Sequence, residues 1–187
     1  MRYGRTRENC PGFTLVEVLI TTSIIGLVSA VSLVSLSGFK VRREVEGSMR
    51  IVAAAIRDAQ NNALTGKNIR GTTCVSGSDS VPCVPCGFEF SADGNAYVIH
   101  QSNASMDGSG SCSAFGGGTS VPLASGVSIS SQSVAFSVPR AEPKTGSGSD
   151  LDSGFIDFVL SKGGVTAHVC VYPLGRVEER PMNAVGC

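Results

Sequence analysis

Seven cysteines carry most of the chemistry available to this chain. Two of them stand as Cys83-Val84-Pro85-Cys86, the spacing of a redox dithiol or of half a zinc site. A redox dithiol needs its motif at a helix N-terminus in a βαβ unit, and this one precedes a predicted strand. A zinc site needs a second ligand pair at close spacing, and the sequence supplies none. Structural disulfides, made in an oxidising compartment, are the better reading. His100 and His168 are the two histidines and lie far apart, which argues against a histidine metal centre or a Ser/His triad. Each falls within a predicted strand and is expected on its polar face. Asp79, Asp93, Asp107, Asp150 and Asp152 sit among Gly and Ser in predicted loops. Asp150-Leu151-Asp152 lacks the oxygen set of a calcium loop, and Gly116-Gly117-Gly118 has no Lys with which to cradle phosphate. No catalytic residue, metal or cofactor is expected, so the chain reads as a non-enzyme.

Glu17 is a different kind of candidate. It is the one charge in the 27 residues from Phe13 to Phe39. As a helix that segment would be about 40 Å long, enough to cross a hydrocarbon core of about 30 Å. Thr21, Thr22, Ser23, Ser29, Ser32, Ser35 and Ser37 interrupt it, but their hydroxyls can bond back to carbonyls of the preceding turn. Arg2, Arg5 and Arg7 precede the segment, and Lys40, Arg42 and Arg43 end it. The short basic head favours a cytoplasmic N-terminus with the rest exported. The run is too long for the core of a secretory signal, and no small-x-small cleavage site follows it. A carboxylate near a membrane edge costs free energy unless neutralised, which makes Glu17 a functional candidate by default; the alternative is a carboxylate shallow enough to reach the headgroups, with no role.

Beyond Lys40 the helical pattern continues. Val45, Met49, Val52, Ile56, Ala59 and Ala63 recur at spacings of four and three and form one apolar stripe. Arg43, Glu46, Arg50, Arg57 and Asp58 lie off it and read as solvated. Thr65-Gly66 marks the helix end. The 122 residues from 66 onward read as β, with strands at Gly71–Val75, Cys86–Phe90, Ala96–Gln101, Val127–Ser131, Val134–Val138, Phe155–Leu160 and Val165–Tyr172. Residues 91–95 and 161–164 read as hairpin loops, and 76–85, 102–119 and 140–153 as longer loops. The strands need an apolar cover, and the helix stripe is its natural source. The expected class is α+β: a long N-terminal helix, half membrane and half amphipathic, packed on an antiparallel β-rich head.

Gly12-Phe13-Thr14-Leu15-Val16-Glu17, then Val18-Leu19-Ile20, closely resembles the type IV prepilin signature: a basic leader ending in Gly, then Phe, then Glu at the fifth mature position, then an apolar helix. The resemblance implies a pilin-like fold. It also implies that a prepilin peptidase cuts between Gly12 and Phe13, on the cytoplasmic side, and N-methylates Phe13. The helix then stays with the protein. Ala54–Ala63 ahead of short strands, Val134-Ala135-Phe136-Ser137, and Val171-Tyr172-Pro173-Leu174-Gly175-Arg176-Val177 near the end resemble the GspH/FimT branch of minor pseudopilins. The long Cys-bearing loops depart from that branch.

This resemblance divides the chain into a leader (1–12), a membrane and assembly helix (13–39), an amphipathic helix (40–65) and a head (66–187). Cys10 leaves with the leader. Cys74, Cys83, Cys86, Cys112, Cys170 and Cys187 remain as disulfide candidates; six cysteines allow fifteen pairings, of which Cys170–Cys187 closes a modest loop that would hold the tail. The implied role is a minor pilin or pseudopilin acting in filament assembly, at initiation or the tip, from the inner membrane with its head periplasmic or extracellular. Its partners would be other pilin subunits and the prepilin peptidase. The alternatives are an ordinary shaft pilin or a DNA-binding minor pilin for DNA uptake. Some relatives on the FimT side carry a basic Gly-Arg-x-Arg element; here Gly175-Arg176-Val177-Glu178-Glu179-Arg180 puts Glu where the second Arg would be. Removing the leader's three arginines and one glutamate leaves 12 basic and 14 acidic residues, a net charge of −2, which argues against DNA.

Overall fold

A computed structural model of the chain describes residues 12–68, 73–76, 79–82, 85–102, 115–146, 151, 154–182 and 184–187, with backbone alone at 31–37, 73–76, 79–82 and 115. The fold is α+β. Among the described residues one helix, α1 (Leu15–Thr65), precedes eleven strands. They are β1 (Thr73–Ser76), β2 (Asp79–Pro82), β3 (Gly87–Gly94), β4 (Ala96–Ser102), β5 (Phe115–Gly116), β6 (Val121–Pro122), β7 (Ser128–Ser137), β8 (Pro143–Thr145), β9 (Ile156–Lys162), β10 (Val165–Val171) and β11 (Val177–Arg180). The chain forms two units, residues 1–40 and 41–187.

In the second unit α1 ends as the sequence predicts. Gly66 adopts φ +60°, and the Lys67 amide reaches back to the Asn62 carbonyl at 3.3 Å, so a glycine in the left-handed region closes the last turn. β1 and β2 form a separate antiparallel hairpin. The other nine strands make one antiparallel sheet, ordered β11-β10-β9-β7-β3-β4-β5, with β6 on β4 and β8 on β7.

Alternation sets what each strand gives to the core. Phe88, Phe90 and Ala92 of β3, Ile129, Val134 and Phe136 of β7, Phe158 and Leu160 of β9, and Ala167, Val169 and Val171 of β10 are buried together. All six predicted stripe residues of α1 are buried in the same core. Ala53 and Ala55, beside the stripe, join them. Phe90 sits among aromatic rings, stacked on Tyr97 at 5.3 Å and edge-on to Phe158 at 5.2 Å. Burial, and secondarily the Asp58 carboxylate, push the Tyr97 phenol above its ordinary range.

The structure corrects several sequence expectations. Val127–Ser131 and Val134–Val138 are one strand, β7, because its polar middle still pairs with β3 through Ser91 and Ala92. The loop expected at 91–95 shrinks to a two-residue turn, Gly94-Asn95, since Asp93 pairs with Ala96, and Gly94 still pairs with Ile129 of β7. That at 161–164 shrinks to Gly163-Gly164, since Lys162 pairs with Val165. The longer loops hold the short strands β2, β5 and β8, where backbone pairing needs no apolar side chain.

Arg57 is not simply solvated. It meets Glu179 at 2.8 Å and donates to the Val177 carbonyl at 3.2 Å, joining α1 to β11. At the other end of the sheet Lys162 meets Glu44 of α1 at 2.5 Å and also donates to the Ser125 carbonyl.

Burial separates two isoleucines on different faces of the amphipathic half of α1. Ile56 is fully buried and Ile51 is 50% exposed. Ile56→Ala is expected to lower unfolding free energy by about 2–5 kcal/mol. Ile51→Ala should change it by about 0.5 kcal/mol or less. Denaturant titration of the detergent-solubilised chain, followed by circular dichroism of the β signal, checks the contrast.

Candidate processing and assembly site

The N-terminal candidates fall within six residues, Gly12 to Glu17. Gly12, Phe13 and Thr14 precede α1 in non-helical conformation, and Glu17 lies in its first turn. The Glu17 amide donates to the Thr14 carbonyl at 3.1 Å and to the Thr14 hydroxyl at 3.2 Å. Thr14 is therefore the N-cap of the helix. The cap adds to the residues expected above, and its signal is local: Thr14-Leu15-Val16-Glu17 has the Thr-x-x-Glu pattern of a helix start. A carboxylate at this third position also faces the positive end of the helix dipole.

The cap leaves the Gly12–Phe13 bond outside the helical ladder, with Phe13 82% exposed. Gly12 has open space where a Cβ would stand, so packing against described residues gives no reason for a glycine there.

Behind the cap, Leu15, Val16, Val18, Leu19, Ile20, Ile24, Ile25, Leu27 and Val28 are all at least half exposed. They surround the helix rather than line one face. Hydroxyls among them are internally satisfied: Thr21 and Thr22 bond the Val18 carbonyl at 2.9 and 3.0 Å, Ser23 that of Leu19 at 2.8 Å, and Ser29 that of Ile25 at 2.7 Å. Among the described residues no helix is long and apolar enough to cross a membrane. The side chains of 31–37, inside the expected span, lie outside those described.

Residues 7–33 match the model of one family, the prokaryotic N-terminal methylation motif. The N-terminus therefore carries a methylation motif similar to the type IV pilin-like signal. The match covers Arg7 of the basic head, the Gly12–Phe13 junction, Glu17 and the apolar helix as far as residue 33. No curated protein and no solved structure matches the chain.

The other candidates lie on the head. Cys170 and Cys187 form a disulfide with Cα atoms 5.8 Å apart. Cys86 is also disulfide-bonded. Cys83 and Cys112, and the side chain of Cys74, lie outside the described residues, as do Asp107, Asp150 and Asp152. Asp79 and Asp93 sit in β2 and β3 rather than in loops. His100 and His168 are on the strand face turned from α1, as expected. His168 is nonetheless nearly covered, and both carboxylate oxygens of Asp157 lie within 3.0 Å of its Nδ1. Asp157 and His168 are diagonal neighbours on adjacent strands, a relation visible only once the register is known.

The arginines of the tail face acids. Arg176 is 3.3 Å from Glu178, and Arg180 is 3.4 Å from the same side chain. Arg176 also lies over the Tyr172 ring, 4.2 Å from its centroid.

Thr14→Ala removes the cap and is expected to cost the first turn of α1 about 0.5–2 kcal/mol. Faster amide exchange at Glu17, with unchanged exchange in β3 and β10, is the expected signature in hydrogen-exchange mass spectrometry. Separately, Cys187→Ala opens the loop to Cys170 and is expected to destabilise the head by about 3 kcal/mol in thermal unfolding.

Proposed function

We propose that the protein is a minor pilin or pseudopilin of the GspH/FimT type, acting in filament assembly rather than catalysis. The observation that carries this reading is the N-terminal one: a methylation motif, a junction left outside the helix by its cap, and a helix apolar all round behind it. An unsheathed apolar helix of that kind needs either lipid or other helices around it. The reading gives it both in turn. The chain waits in the inner membrane with its N-terminus cytoplasmic and its head on the far side, then joins a pilus or pseudopilus. The prepilin peptidase is its first partner, other subunits its later ones. Residues 1–12 are the leader, 13–39 the membrane and assembly helix.

Glu17 is the assembly residue in this scheme. Cleavage frees an amine at Phe13, and a carboxylate in an apolar bundle seeks a cation. Pairing with the amine of a neighbouring subunit would set the register in which one helix docks on the next. The paired tail arginines and the mature charge of −2 support assembly over DNA capture.

Intact-mass measurement of membrane-extracted protein is expected to show loss of residues 1–12 and addition of one methyl group. A mature chain beginning elsewhere overturns the assignment. Glu17→Val, expressed with the native partners, is expected to be processed and inserted normally but depleted from sheared filaments. Normal incorporation would make the acid incidental. In an anisotropy titration with duplex DNA at physiological salt, the head should bind weakly or not at all. Tight, salt-steep binding would promote the DNA-receptor alternative.

A further inference from the structure

The outer face of the sheet, away from α1, carries a cluster that filament assembly does not use. Cys170 stands between two acidic residues in register, Asp157 on β9 and Glu178 on β11. Glu178 is engaged by Arg176 and Arg180. Asp157 instead turns to the sulfurs: one of its carboxylate oxygens and the Sγ atoms of Cys170 and Cys187 all lie within 4.8 Å of one another. His168 Nδ1 meets both oxygens of that carboxylate, at 2.9 and 3.0 Å. The group is sheltered, with Cys170 fully buried and the Asp157 side chain 21% exposed.

The tail that brings Cys187 here has further ties. Arg180 donates to the Gly186 carbonyl at 3.2 Å, and the Ala184 amide to the Pro181 carbonyl at 3.2 Å. These bonds do not depend on the sulfur–sulfur bond, so they act to keep Cys187 beside Cys170 when that bond is open.

We propose that the dithiol form of this clamp is a zinc site, with Cys170, Cys187 and Asp157 as ligands and His168 as the positioning residue behind the carboxylate. A small dithiol reductant supplies two electrons and two protons. The Cys170–Cys187 bond breaks, two thiols form, and the reductant's own sulfurs join as a disulfide. Zinc then displaces both thiol protons. With zinc–sulfur distances of about 2.3 Å and zinc–oxygen of about 2.0–2.2 Å, three such ligands must lie within about 4 Å of one another. Small side-chain movements of the present cluster meet that requirement, and water fills the fourth position. Two thiolates with one carboxylate suit a borderline-soft divalent ion over calcium or magnesium. The site gives the tail a second way to be fastened, by metal when the disulfide is open.

The test uses the full chain in detergent, reduced with a dithiol that is then removed under anaerobic conditions. Zinc is titrated against a chromophoric chelator, and cobalt is added in parallel for its thiolate charge-transfer band. The wild type is expected to hold one more equivalent of zinc than the Cys170→Ser/Cys187→Ser variant, and to lose that equivalent on reoxidation. His168→Ala should weaken the site about 10–100-fold while keeping the cobalt band. Asp157→Asn should weaken it by at least as much. Equal zinc in the double-serine variant overturns the proposal, as does undiminished affinity in Asp157→Asn. If a variant does not fold by circular dichroism, the wild-type cobalt spectrum decides: absence of a thiolate band that reoxidation abolishes also overturns it.

Discussion

The apolar stripe of α1 against one face of the sheet is the contact on which the head depends. A single antiparallel sheet with one apolar face cannot stand in water, and an amphipathic helix of five turns cannot either. Val45, Val52, Ile56, Ala59 and Ala63 have no exposed surface, nor have Phe88, Phe90, Phe136 and Phe158 across from them. The small residues on the helix side let the backbone come close, and the large rings on the sheet side fill the space that leaves. Both halves of the core are built by periodicity, 3.6 in the helix and 2 in the strands. A shift of register by one residue in β3 or β10 would turn Phe90 or Val169 outward and undo the contact.

Polar groups then fix where the helix lies along the sheet. Glu44 with Lys162 marks one end. Arg57 with Glu179, and Gln60 with the Gly175 carbonyl at 3.1 Å, mark the other. Partly exposed pairs of this kind contribute about 0–1 kcal/mol each, so their value is in position more than in strength. Arg57 does a second thing. β11 is the end strand in its direction, and the pairing of Tyr172 with Arg176 turns the Val177 carbonyl outward. The guanidinium occupies that acceptor, and Glu178, Glu179 and Arg180 make the strand a poor template for pairing with another chain.

The N-terminal segment obeys a different constraint. Among its described residues it satisfies the hydroxyls of Thr21, Thr22, Ser23 and Ser29 internally, starts on a defined cap, and leaves its apolar side chains exposed. The described residues of the helix stripe are buried against the sheet, while those of the N-terminal segment are exposed. That asymmetry is what the assembly reading explains: a capped helix can pass between lipid and a helical bundle without rebuilding any internal hydrogen bond, since both surroundings are apolar.

The sequence alone determined the α+β fold class, the stripe of α1, the helix end at Gly66, the hairpins around Gly94 and Gly163, and the methylation motif at the N-terminus. Each of these is written in local spacing, so residues within one turn or one hairpin suffice to read it. It also pointed to the Cys170–Cys187 pair, because a nearby partner is the cheapest to reach. Local pattern could not join the two halves of β7, whose polar middle has no alternation and is held by β3. Nor could it lift Arg57 out of solvent or set Asp157 against His168 and the two sulfurs. Those relations depend on which strands lie side by side and in what register, and that is decided by burying one face of the whole sheet at once, a condition that no short stretch of the chain contains.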